Sequence, residues 1–167
     1  MHVDTEKLIS AALEPENVGH TVLFGIAGEG ENTTIGELHL SECHACGAPE
    51  TPIGALRHFA LETGAEEALL AMPHPVVALA YAITEPHIEW NPDDPYRYTP
   101  PGDHPEAVTA TTIWIYTTEH DVQATRISED GHQTPVTLGA VEDDRALTAL
   151  AALVTRLKRA LAATPAM

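Results

Sequence analysis

The pattern Cys43-His44-Ala45-Cys46-Gly47 carries the sharpest chemical signal in the chain. Two thiols separated by two residues can grip one zinc ion through a tight turn, and a glycine after the second thiol eases the backbone where amides fold toward the sulfurs. These are the chain's only two cysteines. A tetrahedral site would therefore have to be completed by His39, by His44, by another of the ten histidines, or by a second subunit. Cys43, Cys46, His39 and His44 are the candidate metal ligands, and zinc is the candidate cofactor. A redox pair would need its thiolate at a helix N-terminus, where the dipole lowers the thiol's pKa. The better helix start, Thr51-Pro52, lies some way past Cys46 and weakens that chemistry. A third reading leaves both thiols reduced and simply packed or exposed in a loop.

A second concentration of chemistry lies between Glu85 and Pro105, a stretch holding Pro86, Pro92, Pro95, Pro100, Pro101 and Pro105 and expected to form a long loop. It carries His87, Trp90, Asp93, Asp94, Tyr96, Arg97, Tyr98, Asp103 and His104. Acid and base types stand there beside aromatic surface able to hold a partner. Trp90, Tyr96, Arg97, Tyr98 and His104 are the candidate binding residues. The competing expectation is that the aromatics pin the loop to the core, so their exposure decides between the two.

Other catalytic patterns are missing. No His-Glu-x-x-His occurs, and no His-x-Glu is followed by Pro-Cys-x-x-Cys. No Gly-x-Ser-x-Gly elbow or phosphate-binding Gly-x-x-x-x-Gly-Lys loop is present. Gly25, Gly28 and Gly30 lack the helix start and further glycine of a dinucleotide loop. Ser41, Glu42 and His44 sketch a nucleophile and base, a cluster that is more often a solvated loop than a triad.

Charge narrows the partner classes. The formal net charge is −17. All 25 acidic residues precede Arg145, opposed there only by Lys7, Arg57, Arg97 and Arg126; Arg145, Arg156, Lys158 and Arg159 follow with no acid among them. A nucleic-acid binder needs a basic footprint to displace counterions, so direct binding to DNA or RNA is not expected, nor is an anionic membrane. The longest apolar stretch, Val76 to Ile83, is far too short to span a bilayer. The first seven residues lack the basic flank and apolar core of a secretory leader, and a secreted scaffold of this size would usually carry more cysteines. The expectation is a cytoplasmic protein.

The elements that must position these residues suit one α+β domain over residues 1–167, with a mainly antiparallel sheet, flanking helices and a long C-terminal helix. Asp4 to Leu13 reads as a short peripheral helix. His20 to Ala27 and Thr33 to Leu40 read as a hairpin around a glycine-rich turn. Thr51-Pro52 opens a helix bearing Ile53, Leu56 and Ala60 on one face. Val77, Leu79, Tyr81 and Ile83 alternate with Ala78, Ala80 and Ala82, which fits a strand packed closely on its alanine face. Thr109 to Thr118, Val122 to Ile127 and Thr134 to Leu138 read as successive antiparallel strands, with Asp130-Gly131 as the tightest turn. From about Asp143 to Ala162, Leu147, Leu150, Val154, Leu157 and Leu161 recur at spacings of three and four. That seam serves either the chain's own sheet or a homodimer.

The stretch Asp103-His104-Pro105-Glu106-Ala107-Val108, leading into a strand and a glycine-turned hairpin, resembles the ends of small uncharacterised proteins of actinobacteria and their phages. The alanine-rich, lysine-poor composition is similar. The resemblance covers about the last 65 residues and implies a host or phage origin, with no functional residue to carry over. The leading expectation is a non-enzymatic protein that binds a protein partner through the proline-rich loop; the alternative is a zinc- or thiol-dependent enzyme built on Cys43 and Cys46.

Overall fold

The computed structural model describes residues 5–19, 21–27, 33–40, 52–61, 76–119, 121–138 and 144–163. In chain order the elements are α1 (Thr5–Ala12), β1 (Thr21–Ala27), β2 (Thr33–His39), α2 (Pro52–Leu61), β3 (Val76–His87), a single 3-10 turn (Pro101–Asp103), β4 (Val108–Thr117), β5 (Val122–Ser128), β6 (Gln133–Pro135) and α3 (Arg145–Ala163). The strands form one six-stranded sheet in the order β2-β1-β3-β4-β5-β6, antiparallel at every pairing. This is the α+β architecture expected from the sequence, with its long C-terminal helix in place.

Strand alternation divides the core into two layers. Leu79, Tyr81 and Ile83 of β3 share a face with Trp114 and Tyr116 of β4 and Ala124 of β5. That face packs against Leu56, Phe59 and Ala60 of α2 and against Leu147, Leu150, Leu153, Val154 and Leu157 of α3. Each fully buried leucine here contributes roughly 1.5–3 kcal/mol relative to exposure. The opposite face carries Ala78, Ala80, Ala82, Ile113, Ile115 and Ile127, clustered with Leu8 and Ala12 of α1. Methyl-sized side chains on β3 leave room for α1 to lie close to the strand. The helix expected at the periphery therefore buries its apolar side in the second core layer.

Polar ties fix the helices on the sheet. Asp144 precedes α3 and accepts the Leu147 N–H through Oδ1 (3.0 Å), the arrangement of an N-cap. Its Oδ2 accepts the indole N–H of Trp114 at 2.9 Å, so one carboxylate both starts the helix and seats it on β4. Further along α3, Arg156 donates to the carbonyl of Ala60 near the end of α2 (2.8 Å), satisfying a terminal helix carbonyl. The leucine seam of α3 is thereby turned inward: Leu147, Leu150, Val154 and Leu157 are all buried within the chain.

Tyr81 fastens the other end of the same layer. Its hydroxyl stands 2.8 Å from the carbonyl of Pro52 and 3.0 Å from that of Gly19, two acceptors sharing one hydrogen. Burial pushes its phenol well above the ordinary range. Gly19 has φ +76, a conformation that favours glycine, and a Cβ there would press on Pro52 at 3.2 Å.

β3 runs to His87 and includes Pro86, where the proline-rich composition predicts loop. Pairing with β1 stops at Ala80, while β4 pairs all the way to His87. Pro86 thus sits where the strand has a neighbour on one side only, the situation in which a sheet tolerates a residue without an N–H. The Asp130-Gly131 turn forms as expected, with Gly131 at φ +85. Asp130 Oδ1 accepts from Ser128 Oγ and from the His132 N–H (3.0 Å). No helix among the described residues is long and apolar enough to cross a membrane.

Candidate functional site: the clasped aromatic loop

Residues 88–107 join β3 to β4, and two local turns shape the first half. Asn91 Oδ1 accepts the Asp93 N–H at 3.0 Å, and Asp94 Oδ1 accepts the Tyr96 N–H at 2.9 Å. Each is an Asx turn closed over a proline, Asn91-Pro92-Asp93 followed by Asp94-Pro95-Tyr96. Successive i to i+3 bonds, Arg97 N–H to Asp94 carbonyl (3.1 Å) and Thr99 N–H to Tyr96 carbonyl (2.8 Å), continue the coil. The Pro101–Asp103 turn then leads to His104 and packs beside β3.

His104 closes the loop on itself. The Glu106 N–H donates to its Nδ1 at 3.0 Å, which leaves the ring proton on Nε2. Nε2 donates to Asp94 Oδ2 at 2.6 Å, a short charge-assisted bond. The His104 side chain is 1 % exposed and that of Asp94 14 %, so the bond is sheltered on the histidine side and open to water at the carboxylate. The Tyr96 N–H, followed by the hydrogen bond from His104, holds the Asp94 carboxyl below the usual carboxylate range. Tyr96 also meets the His104 ring edge-on, with centroids 5.8 Å apart.

Both ring nitrogens are engaged within the loop, so the dyad forms a clasp between its two ends.

What the clasp holds up is aromatic surface. Trp90, Tyr96 and Tyr98 are 65 %, 51 % and 84 % exposed, so the alternative in which they pin the loop to the core does not describe them. Trp90 and Tyr98 pair at 6.2 Å in a tilted arrangement. The Arg97 guanidinium lies over the Tyr98 ring, 4.9 Å from its centroid, and donates to the Asp94 carbonyl at 3.2 Å. At the loop's base His87 Nε2 faces Glu89 Oε1 at 3.5 Å. Of the candidate binding residues, Trp90, Tyr96, Arg97 and Tyr98 thus stand together on the outer surface, and His104 lies beneath them. Asp94, one of the acids that the loop's composition offers but not one of the candidate binding residues, is the residue that organises the group. Its signal was the paired Asx-Pro sequence.

The candidate metal ligands Cys43, His44 and Cys46 lie outside the described residues, as does the side chain of His39, whose backbone ends β2. Among the described residues no group of three or more His, Cys, Asp or Glu side chains is placed to hold a metal ion.

No protein-family model, curated protein or solved structure matches the chain.

Proposed function

We propose that this is a non-enzymatic binding protein of the cytoplasm that presents the loop 88–107 to a protein partner. The observation that carries the reading is the exposure of Trp90, Tyr96 and Tyr98 on a loop whose shape is fixed from below by Asp94 and His104. Tyrosine, tryptophan and arginine are the side chains enriched at the energetic centres of protein interfaces. A loop already folded in its binding shape loses less conformational entropy on association than a mobile one.

Site-specific photo-cross-linking in the cells that make the protein tests this. A cross-linking side chain at Tyr98 should give a discrete protein adduct that disappears on Trp90→Ala, whereas the same group at exposed Gln133 on β6 should not give it. Identical adducts from both positions, or none from Tyr98, would overturn the proposal.

The alternative, a zinc- or thiol-dependent enzyme at Cys43 and Cys46, is separated by metal content: stoichiometric zinc that is lost on Cys43→Ser would favour it. A homodimer is a further proposal. Its interface lies away from the leucine seam, which the sheet and α2 already cover. Contact through the basic end of α3 would be recognised in sedimentation by weakening as salt rises.

A further inference from the structure

We infer that the partner segment recognised by this loop is cationic, an arginine- or lysine-rich stretch of protein chain; the inference rests on the loop being the binding surface. Two independent features of the loop point the same way. The first is chemical. Aromatic faces attract cations through the ring quadrupole, tryptophan most strongly, and the loop already shows the interaction once within itself, where Arg97 lies over Tyr98. A partner arginine on Trp90 would repeat that arrangement on the better of the two rings.

The second feature is the charge around the rings. Glu89, Asp93, Asp103 and Glu106 are all exposed on the same loop. Arg97 is the only lysine or arginine between Arg57 and Arg126, and its guanidinium is engaged with Tyr98 and the Asp94 carbonyl. The loop therefore offers exposed aromatic faces and exposed carboxylates on one short segment, with its single cation already in use. An acidic segment would be repelled by those carboxylates. A neutral proline-rich segment would use the rings and leave the charge idle. A cationic segment uses both, and the carboxylates steer its approach across an acidic body.

The test uses the full chain, a short arginine-rich peptide, the same peptide with glutamine for arginine, and a proline-rich peptide. The two tryptophans serve as separate reporters in nuclear magnetic resonance, since Trp90 is exposed and Trp114 is buried. The arginine peptide should shift the Trp90 indole N–H and leave that of Trp114 unmoved. Trp90→Ala should weaken binding by roughly two- to thirty-fold, the range of a single cation–π contact. Glu89→Gln with Asp93→Asn should weaken it further and flatten its salt dependence. Equal binding of the arginine peptide to the parent and to Trp90→Ala would reduce the effect to diffuse attraction and overturn the inference. So would an equal Trp90 response to the glutamine or proline-rich peptide. If the protein cross-linked from Tyr98 is not displaced by excess arginine peptide, the cationic class fails while the binding surface stands; absence of the cross-link itself removes both.

Discussion

Asp94 illustrates how much one side chain can decide. Asparagine would keep the Asx turn, because its amide oxygen can still accept the Tyr96 N–H. Its amide N–H₂ would then face the His104 Nε2–H, donor against donor, and the ring cannot change tautomer without losing the Glu106 N–H held at Nδ1. Asp94→Asn should therefore speed hydrogen exchange of the amides from Asp93 to Ala107 while Tyr81 and its neighbours in β3 keep their protection. Unchanged exchange in the loop would contradict the clasp. The pH dependence follows from the same group. Its folded-state pKa lies below the unfolded value of about 3.9, so the order it confers is complete above that value and is lost as pH falls through the lower folded one. The Asp94-dependent part of the loop's protection, read as the difference between the parent chain and Asp94→Asn, should persist through the ordinary carboxylate range and fall away only in stronger acid.

Asp144 plays the equivalent part for a whole element. Asp144→Ala removes the cap of α3 and leaves the Trp114 indole N–H without its acceptor, together a loss of about 2–4 kcal/mol. Asp144→Ser restores the cap alone and should recover about 1 kcal/mol of it in chemical denaturation. Equal stabilities for the two variants would mean that the Trp114 bond accounts for the whole effect. Residues of this kind mark where sequence reading succeeds and where it stops. The alternation through β3, the Asp130-Gly131 turn, the Thr51-Pro52 helix start and the three-four seam of α3 are local signals, and the structure places strands, turn and helices where they point. The passage of β3 through Pro86 was not legible, because it depends on which flank of the strand has a partner. The burial of α1 was not legible either, since eight residues gave too short a pattern to reveal a seat on the alanine face. In the site, the exposed aromatics could be named from the loop's composition. The bond between Asp94 and His104 joins residues ten apart, and only the folded path of two Asx turns brings them together.

At the scale of the molecule the formal net charge of −17 sets a repulsion that the folded state must tolerate. Raising salt from about 0.01 M to 1 M shortens the Debye length from about 30 Å to about 3 Å. The melting temperature should climb over that interval, and a flat or falling profile would mean that the acids are too well spaced to strain the fold. The strand order has a consequence of a different kind, for the time course of assembly. Tyr116 pairs with Val122 and Ala27 with Thr33, each pair close in sequence, whereas Leu23 must find Ala80 across most of the N-terminal half of the chain. Closing a longer segment costs more entropy before any contact rewards it. The β4–β5 and β1–β2 hairpins can therefore form independently and early, and β3 is the strand on which they must meet. The slow event in folding is then the docking of the first hairpin along β3, across the register shift between Gly25 and Ile26. Substitutions at the Val22 end of β1 should therefore slow folding, and an unchanged folding rate with faster unfolding would place docking after the barrier and overturn this order.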